Sequence, residues 1–309
     1  MAAGWPEPDG MEQKESFCIL GAGVMGRGLA KNLHNAGAVV QVYARNLTSV
    51  QDLTDEGIGA SSDPLEAART SSAIVLCLTT DEVVRQVFLD SGVLDNLGSR
   101  SRVGEKITVI DTGTTSPELT AQLALLCKEA GLAFLDAPMT GSKNAAAAGE
   151  ILFMVGGPDP VIDSQKFFFD ACGRSVIRCG PTGSGQKVKI ALNLTQASML
   201  QALTEGLMLS RKLGVEPAVY EDVIRNSAAR CGLSDFKLAC ILRGDFEEHF
   251  ALKNMNKDVN HAMRLAREHN VSLPLAFSLK SIYEAGMNMG YSEDDFCGLA
   301  RVNETLNGL

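Results

Sequence analysis

GAGVMGRG, residues 21–28, decides how the first half of this chain folds. It follows a short apolar run at Phe17–Leu20 and leads into a helical pattern that continues to Leu33. A second β-rich run, Val39–Tyr43, comes next. A GxGxxG loop between a strand and a helix, inside a βαβ unit of this length, is typical of dinucleotide-binding folds. The stretch therefore predicts a doubly wound α/β sheet of the Rossmann type in the N-terminal half.

The three glycines of this loop have separate roles in binding a dinucleotide. Gly21 allows the tight turn, Gly23 lets a pyrophosphate approach the backbone, and Gly26 lets helix and strand pack closely. The free N–H groups and the dipole of the helix N-terminus favour the phosphate anions. The residues predicted to bind the cofactor here are Gly21, Ala22, Gly23, Val24, Met25 and Gly26.

The residues after the second predicted strand bear on the choice of cofactor. An NAD-specific site usually has Asp or Glu at this position to hold the ribose hydroxyls, whereas this chain continues Ala44-Arg45-Asn46. A guanidinium can form paired hydrogen bonds with a 2′-phosphate and lie over the adenine. We therefore predict NADP(H), with Arg45 and Asn46 in contact with it. A solvated surface arginine is the alternative.

Hydroxyl-bearing residues recur where predicted strands end. Ala73–Leu78 is predicted as a buried strand that is followed by Thr79, and Ile107–Ile110 as another that is followed by a loop containing Thr114. The carboxyl ends of the strands face the nucleotide crevice in such folds. Leu78, Thr79 and Thr114 are therefore predicted cofactor contacts, although helix capping explains part of the pattern.

A loop of small residues follows the next predicted strand, Leu132–Leu135. It reads DAPMTGSKNAAAAGE, residues 136–150. Thr140, Gly141 and Ser142 offer hydroxyls and closely approachable backbone amides, which suit the binding of a carboxylate.

The periodicity becomes helical at GSGQKVKIALN, residues 183–193. Lys189 and Asn193 are four residues apart and so share one helix face, while Val188 and Ala191 lie on a mainly apolar arc. We expect this helix to join two domains and to direct an ammonium and an amide into the crevice between them. An exposed Lys and Asn on an ordinary helix is the alternative. Further helices are predicted over Ala197–Leu213, Ala218–Asn226, Asn254–Glu268 and Leu275–Met289.

Composition limits the classes of function. The chain has 309 residues, of which 45% are hydrophobic and 21% charged, and a net charge of −9, which argues against a general nucleic-acid binder. No apolar run is long enough to span a membrane. The eight cysteines lack metal-binding spacing. We predict a metal-free, cytoplasmic protein with a disordered tail at 1–15, a cofactor domain at 16–181 and an all-helical domain at 182–309.

Four motifs in order resemble the β-hydroxyacid dehydrogenase family, and the resemblance extends from Phe17 to the C-terminus. Thr140 stands where the family usually has Ser, and Ser142-Lys143 replaces its common second glycine. The GSK form, and Phe250 eight residues before Asp258, look more like the glyoxylate/succinic-semialdehyde reductase branch. The four motifs are GAGVMGRGLAKNL (21–33), DAPMTGSKNAAAAGEILFMVGG (136–157), GSGQKVKIALN (183–193) and KNMNKDVNHA (253–262).

The resemblance implies an NADPH-dependent reductase of small carboxylate-bearing aldehydes or keto acids, such as glyoxylate or succinic semialdehyde. It also implies a Rossmann domain joined by a long interdomain helix to an all-α domain, in a homodimer or homotetramer. Lys189 would be the general acid, with Asn193 holding the lysine or a substrate oxygen. Lys257 would bind the cofactor. The substrate would be held by Thr140, Gly141, Ser142, Phe250 and Asp258.

Two other classes of protein share this fold. Imine reductases resemble the family but usually lack the lysine at the position of Lys189. A degenerate dehydrogenase domain that acts as an interaction scaffold typically loses this lysine as well. The chain keeps Lys189 and the cofactor glycines, which counts against both alternatives and favours the reductase.

Overall fold

A computed structural model describes residues 15–309 of the chain. The predicted disordered tail, residues 1–15, lies outside the described residues except for Glu15. The strands are β1 (Ser16–Leu20), β2 (Val39–Tyr43), β3 (Gly59–Ser61), β4 (Ala73–Leu76), β5 (Thr108–Asp111), β6 (Ala133–Asp136), β7 (Met139–Thr140), β8 (Ile151–Gly156) and β9 (Gly173–Gly180).

Helices alternate with the strands in the first half of the chain and follow one another in the second. A π-helix covers Arg85–Asp90, and 3₁₀ segments cover Leu47–Val50 and Phe296–Gly298. The α-helices are α1 (Val24–Asn35), α2 (Gln51–Asp55), α3 (Pro64–Ala68), α4 (Asp81–Val84), α5 (Val93–Arg102), α6 (Pro117–Glu129), α7 (Lys143–Ala147), α8 (Asp159–Ser164), α9 (Lys166–Cys172), α10 (Ser184–Lys212), α11 (Pro217–Arg225), α12 (Gly232–Arg243), α13 (Leu252–Glu268), α14 (Pro274–Asn288) and α15 (Leu299–Asn307).

The strands form one sheet in the order β3-β2-β1-β4-β5-β6-β8-β7, with β9 beside β8. The first six strands in this order are parallel. Successive side chains of a strand lie on opposite faces, so Phe17 and Ile19 join one apolar core while Cys18 and Leu20 join the other. The sheet has an apolar core on each face, which explains why its strands read as continuous apolar runs. The predicted Rossmann fold is confirmed.

The second half of the chain is helical and is built around α10. This helix runs for 29 residues, and its buried side chains join those of α12, α13, α14 and α15 in a separate apolar core. The predicted fold class, a Rossmann sheet followed by an all-α domain on a long joining helix, is confirmed. The division at residues 181 and 182 stays a prediction. No helix among residues 15–309 is both long and apolar enough to cross a membrane.

The structure corrects the end of one predicted strand and adds two helices that were not predicted. Strand β4 ends at Leu76 and not at Leu78, although the N–H of Cys77 still donates to the carbonyl of Leu20 at 2.9 Å. Helices α12 and α15 were not among the predicted helices. Gly232 begins α12, and Gly244 ends it in the left-handed conformation, as a C-terminal glycine commonly does.

The first turns of α10 bury their polar face. The side chains of Lys189 and Asn193 are 7% and 1% exposed, whereas Val188 is 44% exposed and Ala191 is exposed as well. Hydrophobic arcs normally face a core, but here the polar face has partners of its own: Gln186 bonds to the loop after β5, and Asn193 bonds to Asp258 of α13. The alternative of an exposed Lys and Asn on an ordinary helix is therefore wrong.

Candidate active site

The glycine loop lies between β1 and α1 at the carboxyl edge of the sheet. A Cβ atom on Gly26 would lie 2.0 Å from the carbonyl oxygen of Gly21, and Gly21 itself has a φ of +114°. A Cβ atom on Gly23 would have no protein atom within 4 Å, and no side chain caps α1. Two glycines are thus packed against the protein while the third faces open space. This arrangement fits a pyrophosphate that approaches the backbone at a helix N-terminus.

Arg45 and Asn46 follow β2 at the same edge of the sheet. Arg45 is exposed, and its guanidinium makes no ion pair or hydrogen bond with any residue from 15 to 309. The side chain of Asn46, in contrast, accepts a hydrogen bond from the N–H of Thr48 at 3.0 Å and begins a 3₁₀ turn. Arg45 is therefore available to a ligand, whereas the side chain of Asn46 already has a structural partner.

The hydroxyls near the strand ends fall into two groups. Thr80 and Ser116 are the N-caps of α4 and α6. Thr79 is exposed and Thr114 is half-buried, and their hydroxyls have no partner within the described part of the chain. Leu78 is 8% exposed and belongs to an apolar core. Capping explains the hydroxyls of Thr80 and Ser116, and other internal hydrogen bonds explain those of Thr112 and Thr115, but neither explains those of Thr79 and Thr114.

Lys189 is a buried cation on α10. Burial lowers the pKa of its ammonium to about 8, with a further lowering from Lys257 and an opposing effect from the carboxylate of Asp258. The Nζ atom lies 6.0 Å from the centroid of the Phe250 ring. A lysine of this kind exchanges its proton near neutral pH, which is where a general acid or base is most effective.

Asn193 and Asp258 connect α10 to α13 beside this lysine. The amide nitrogen of Asn193 donates to Oδ2 of Asp258 at 2.5 Å, and Asp258 is completely buried. Nζ of Lys257 forms an ion pair with Oδ1 of Asp258 at 2.9 Å, although the geometry is not that of a hydrogen bond. The same Nζ donates a hydrogen bond to the backbone carbonyl of Thr114 at 2.5 Å. Four predicted site residues are therefore gathered at one place, and Lys257 ties the helical half of the chain to the end of β5.

The predicted carboxylate-binding loop lies at β7 and the start of α7. The side chain of Thr140 is half-buried and has no hydrogen-bond partner among residues 15–309, and Gly141 is exposed. The hydroxyl of Ser142 accepts from the N–H of Ala145 at 3.2 Å and caps α7. The polar groups of this loop that can still donate to a carboxylate are therefore the Thr140 hydroxyl, the backbone amides and the O–H of Ser142, whose oxygen alone is used as the cap.

A buried ion pair that the sequence did not reveal supports Phe250. Nζ of Lys237 lies 2.7 and 2.8 Å from the two carboxylate oxygens of Asp295, and Asp295 also accepts from the N–H of Phe250 at 3.1 Å. Burial alone would raise the pKa of Asp295, but the attraction of Lys237 holds it below its ordinary value. No sequence signal joins these residues, because they lie 58 positions apart in different elements.

The fold and the site together define a nicotinamide-dependent dehydrogenase. Residues 16–180 match the model of the NAD binding domain of 6-phosphogluconate dehydrogenase. Residues 183–303 match the model for the NAD-binding region of NADP-dependent 3-hydroxyisobutyrate dehydrogenase. The chain belongs to the β-hydroxyacid dehydrogenase family, as its motifs predicted, and is thus an NAD(P)-dependent hydroxyacid dehydrogenase by family.

Similar proteins cover nearly the whole chain. It is 28% identical over 300 residues to 2-(hydroxymethyl)glutarate dehydrogenase of Eubacterium barkeri, and the aligned residues cover 97% of this chain and 98% of that protein. It is 28% identical to the chloroplastic glyoxylate/succinic semialdehyde reductase 2 of Arabidopsis thaliana, over 91% of this chain and 77% of the relative. The crystal structure of a 3-hydroxyisobutyrate dehydrogenase from Salmonella typhimurium superimposes with a TM-score of 0.85 at 26% identity, covering 94% and 100% of the two chains.

Proposed function

We propose that this protein is an NADPH-dependent reductase of small aldehydes or keto acids that carry a carboxylate, such as glyoxylate or succinic semialdehyde, with a hydroxy acid as product. The observation that carries the proposal is the buried Lys189, whose pKa is lowered to about 8 beside Asn193 and Asp258. The name of the Arabidopsis relative points to the same substrates. The retained lysine counts against an imine reductase and against an inactive scaffold.

The residues of this chain supply binding and proton transfer. A bound nicotinamide cofactor supplies the hydride. Reduction of a carbonyl leaves negative charge on its oxygen, and the ammonium of Lys189 stabilises that charge and donates the proton. Asp258 holds the amide of Asn193, so that Asn193 has one defined orientation next to the lysine. Burial of this group excludes water and keeps the pKa of Lys189 close to neutrality.

The remaining predicted residues divide between substrate and cofactor. The hydroxyl of Thr140 and the backbone amides of Gly141 and Ser142 bind the substrate carboxylate. The ring of Phe250 forms an apolar wall opposite Lys189. Lys257, which contacts the carbonyl of Thr114, holds the helical half of the chain over the cofactor side of the crevice.

We also propose a domain division at residues 181 and 182, a cytoplasmic location, and a homodimer or homotetramer. Two exposed apolar side chains one turn apart on α11, Val219 and Val223, support an interface between subunits, because adjoining exposed apolar side chains commonly mark such surfaces.

Oxidation of NADPH by the wild-type protein tests the reductase assignment. We expect turnover with one or more of glyoxylate, succinic semialdehyde, tartronate semialdehyde and methylmalonate semialdehyde, and a cyclic imine serves as the probe for the alternative enzyme class. If the protein binds NADPH yet reduces none of the four acids, the proposed function is wrong. Turnover of the imine alone would identify an imine reductase.

The rate of reduction is expected to fall as the pH rises through about 8. Lys189 must carry its proton to act as the acid, and burial lowers its pKa to about 8. Above this pKa, kcat should decrease about tenfold per pH unit, and oxidation of the hydroxy acid should show the opposite slope because it needs the neutral amine. Steady-state rates in both directions between about pH 6 and pH 10 measure these slopes. Parallel profiles in the two directions would contradict the role of Lys189.

Replacing Arg45 with alanine is expected to weaken NADPH binding more than NADH binding. The guanidinium has no partner in the described protein and is free to pair with the 2′-phosphate, a charge-assisted contact of about 1.5–3 kcal/mol. Fluorescence titration gives the Kd for each cofactor, and Arg102→Ala, which removes an exposed arginine of α5, is the matched control. Equal losses for both cofactors would remove the argument for NADP(H).

A further inference from the structure

The first turn of α10 is capped by a carboxylate from another element. Gly183, at the N-cap position, has no side chain to accept the free N–H groups of the helix. Asp136, at the end of β6, does so instead: its Oδ1 accepts from the N–H of Gly183 at 2.6 Å and its Oδ2 from the N–H of Gln186 at 3.0 Å. A negative charge at a helix N-terminus also interacts favourably with the helix dipole. The start of α10 is thereby attached to the carboxyl edge of the sheet.

Gln186 extends the attachment to the loop after β5. Its side chain is completely buried. The amide nitrogen donates to the carbonyl of Gly113 at 2.8 Å, and the amide oxygen accepts from the N–H of Thr115 at 3.3 Å. Gln186 thus contacts the residues on both sides of Thr114, whose own carbonyl accepts from Lys257. One side chain connects α10 to the loop that the cofactor and the helical half of the chain share.

Close packing leaves this end of α10 little freedom. A Cβ atom on Gly185 would lie 2.3 Å from the carbonyl oxygen of Met154, so the helix backbone touches β8 directly. Gln186 and Lys189 are three residues apart and lie on the same helix face. The contacts of Gln186 therefore determine how α10 is rotated about its own axis, and this rotation sets the direction in which Lys189 projects.

The geometry points to Asp136 and Gln186 as positioning residues, which hold the first turn of α10 so that the Lys189 ammonium has one place relative to the loop Gly113–Thr115. This inference rests on the proposed role of Lys189 as the proton donor. Neither residue needs to touch the substrate. A misplacement of a reacting group by about 1 Å can cost about 100-fold in rate, so positioning of this kind is sufficient to affect catalysis.

Burying the carboxyl groups around Gln186 costs free energy. This cost favours a positioning role for these residues over the role of only holding α10 against the sheet. Asp111 belongs to the same group of contacts, because its Oδ2 accepts from the amide of Gln186 at 3.4 Å and from the hydroxyl of Thr115 at 2.8 Å. Burial raises the pKa of Asp111 to about 7 and that of Asp136 to about 6, although hydrogen bonds to each carboxyl group oppose the rise. Apolar side chains of similar volume often hold two elements together as well as buried polar groups do, or better. Hydrogen bonds, unlike apolar contacts, are directional and define one rotation of the helix.

The test compares two glutamines of the same helix. Gln186→Met keeps the size of the side chain and removes its hydrogen bonds. Gln201→Met is the matched control, because Gln201 is also buried on α10 but bonds to Asn303 of α15, away from the sheet. We expect kcat to fall about 10- to 100-fold in Gln186→Met with a much smaller change in KM, and to stay near the wild-type value in Gln201→Met. Both variants should lose thermal stability to a similar degree.

A second readout does not depend on turnover. The pKa of Lys189, measured from the ¹³Cε chemical shift in lysine-labelled protein and assigned with Lys189→Met, is expected to rise towards 10.5 in Gln186→Met, because a loosened helix end admits water. It should not move in Gln201→Met. If the wild-type protein reduces no substrate, the proposed function fails, but the shift of this pKa still decides the positioning inference.

Asp136→Asn keeps the inference testable if Gln186→Met does not fold. It removes the charge and one of the two acceptors while preserving the shape of the side chain, and the same lowered kcat and raised pKa of Lys189 are expected. Wild-type kcat together with an unchanged pKa of Lys189, in whichever of these variants folds, would overturn the inference. An equal loss of kcat in Gln201→Met would do so as well, since it would reflect the general stability of α10.

Discussion

Lys189→Met is expected to lower kcat for reduction by about 100- to 10,000-fold, the range that a positioned general acid contributes. Methionine has a similar length but neither donates a proton nor carries a charge. NADPH affinity should change little, because Lys189 is proposed to act on the substrate oxygen. Initial rates at saturating NADPH, together with the Kd for NADPH, separate the two effects.

The same variant is not expected to unfold the protein. Because burial lowers the pKa of Lys189 from 10.5 to about 8, this lysine reduces the free energy of unfolding in full below about pH 8, and the cost disappears as the pH rises to 10.5. An uncharged side chain of similar size avoids that cost, so thermal stability at neutral pH should be unchanged or raised. A loss of activity without a loss of stability would distinguish chemistry from folding.

Lys187→Met is the control for this prediction. Lys187 lies two residues earlier on α10, about 200° around the helix, and its side chain is exposed where that of Lys189 is buried. The Lys187 variant should keep wild-type activity. If it lost activity while Lys189→Met remained active, the assignment of the proton donor would be wrong.

Gly26→Ala is expected to destabilise the fold by about 3 kcal/mol, at the upper end for overpacking, and to abolish NADPH binding. The added Cβ would lie 2.0 Å from the backbone carbonyl of Gly21, which cannot move without distorting the loop between β1 and α1. Urea denaturation followed by circular dichroism measures the free energy of unfolding, and fluorescence titration measures the binding of NADPH.

Gly23→Ala separates the effect on NADPH binding from the effect on fold stability within the same loop. Gly23 has a φ of −74°, which alanine adopts, and its Cβ would meet no protein atom within 4 Å. The variant should lose at most about 1 kcal/mol, because alanine is a poorer N-cap than glycine. NADPH affinity should nevertheless fall strongly, since the Cβ would occupy the space into which the pyrophosphate fits. Unchanged affinity in this variant would contradict the cofactor site.

Much of the fold could be predicted from the sequence because the deciding signals are local. The spacing of Gly21, Gly23 and Gly26 between a strand and a helix indicated the βαβ unit, and β5 and β6 lie within one residue of their predicted positions. The helices α12 and α15 escaped prediction. In α12 a capping arrangement around Cys231 and Ser234 begins the helix, and it is not one of the common cap sequences.

The sequence by itself determined which chemical groups the chain carries and in which order: a glycine loop, a run of small residues with Thr140, a lysine with an asparagine one helical turn later, and a Lys-Asp pair. Only the tertiary structure decided the environment of those groups. GSGQKVKIALN has an apolar arc that a helix would normally bury, yet Lys189 is buried near Phe250 and Asp258 of the helical half, whereas Val188 is exposed. The partners of Asn193 and Lys237 lie 65 and 58 residues away. Such pairs, and the lowered pKa of Lys189, depend on how the sheet and the helices approach each other, because burial and hydrogen bonding between distant segments have no local periodicity in the chain.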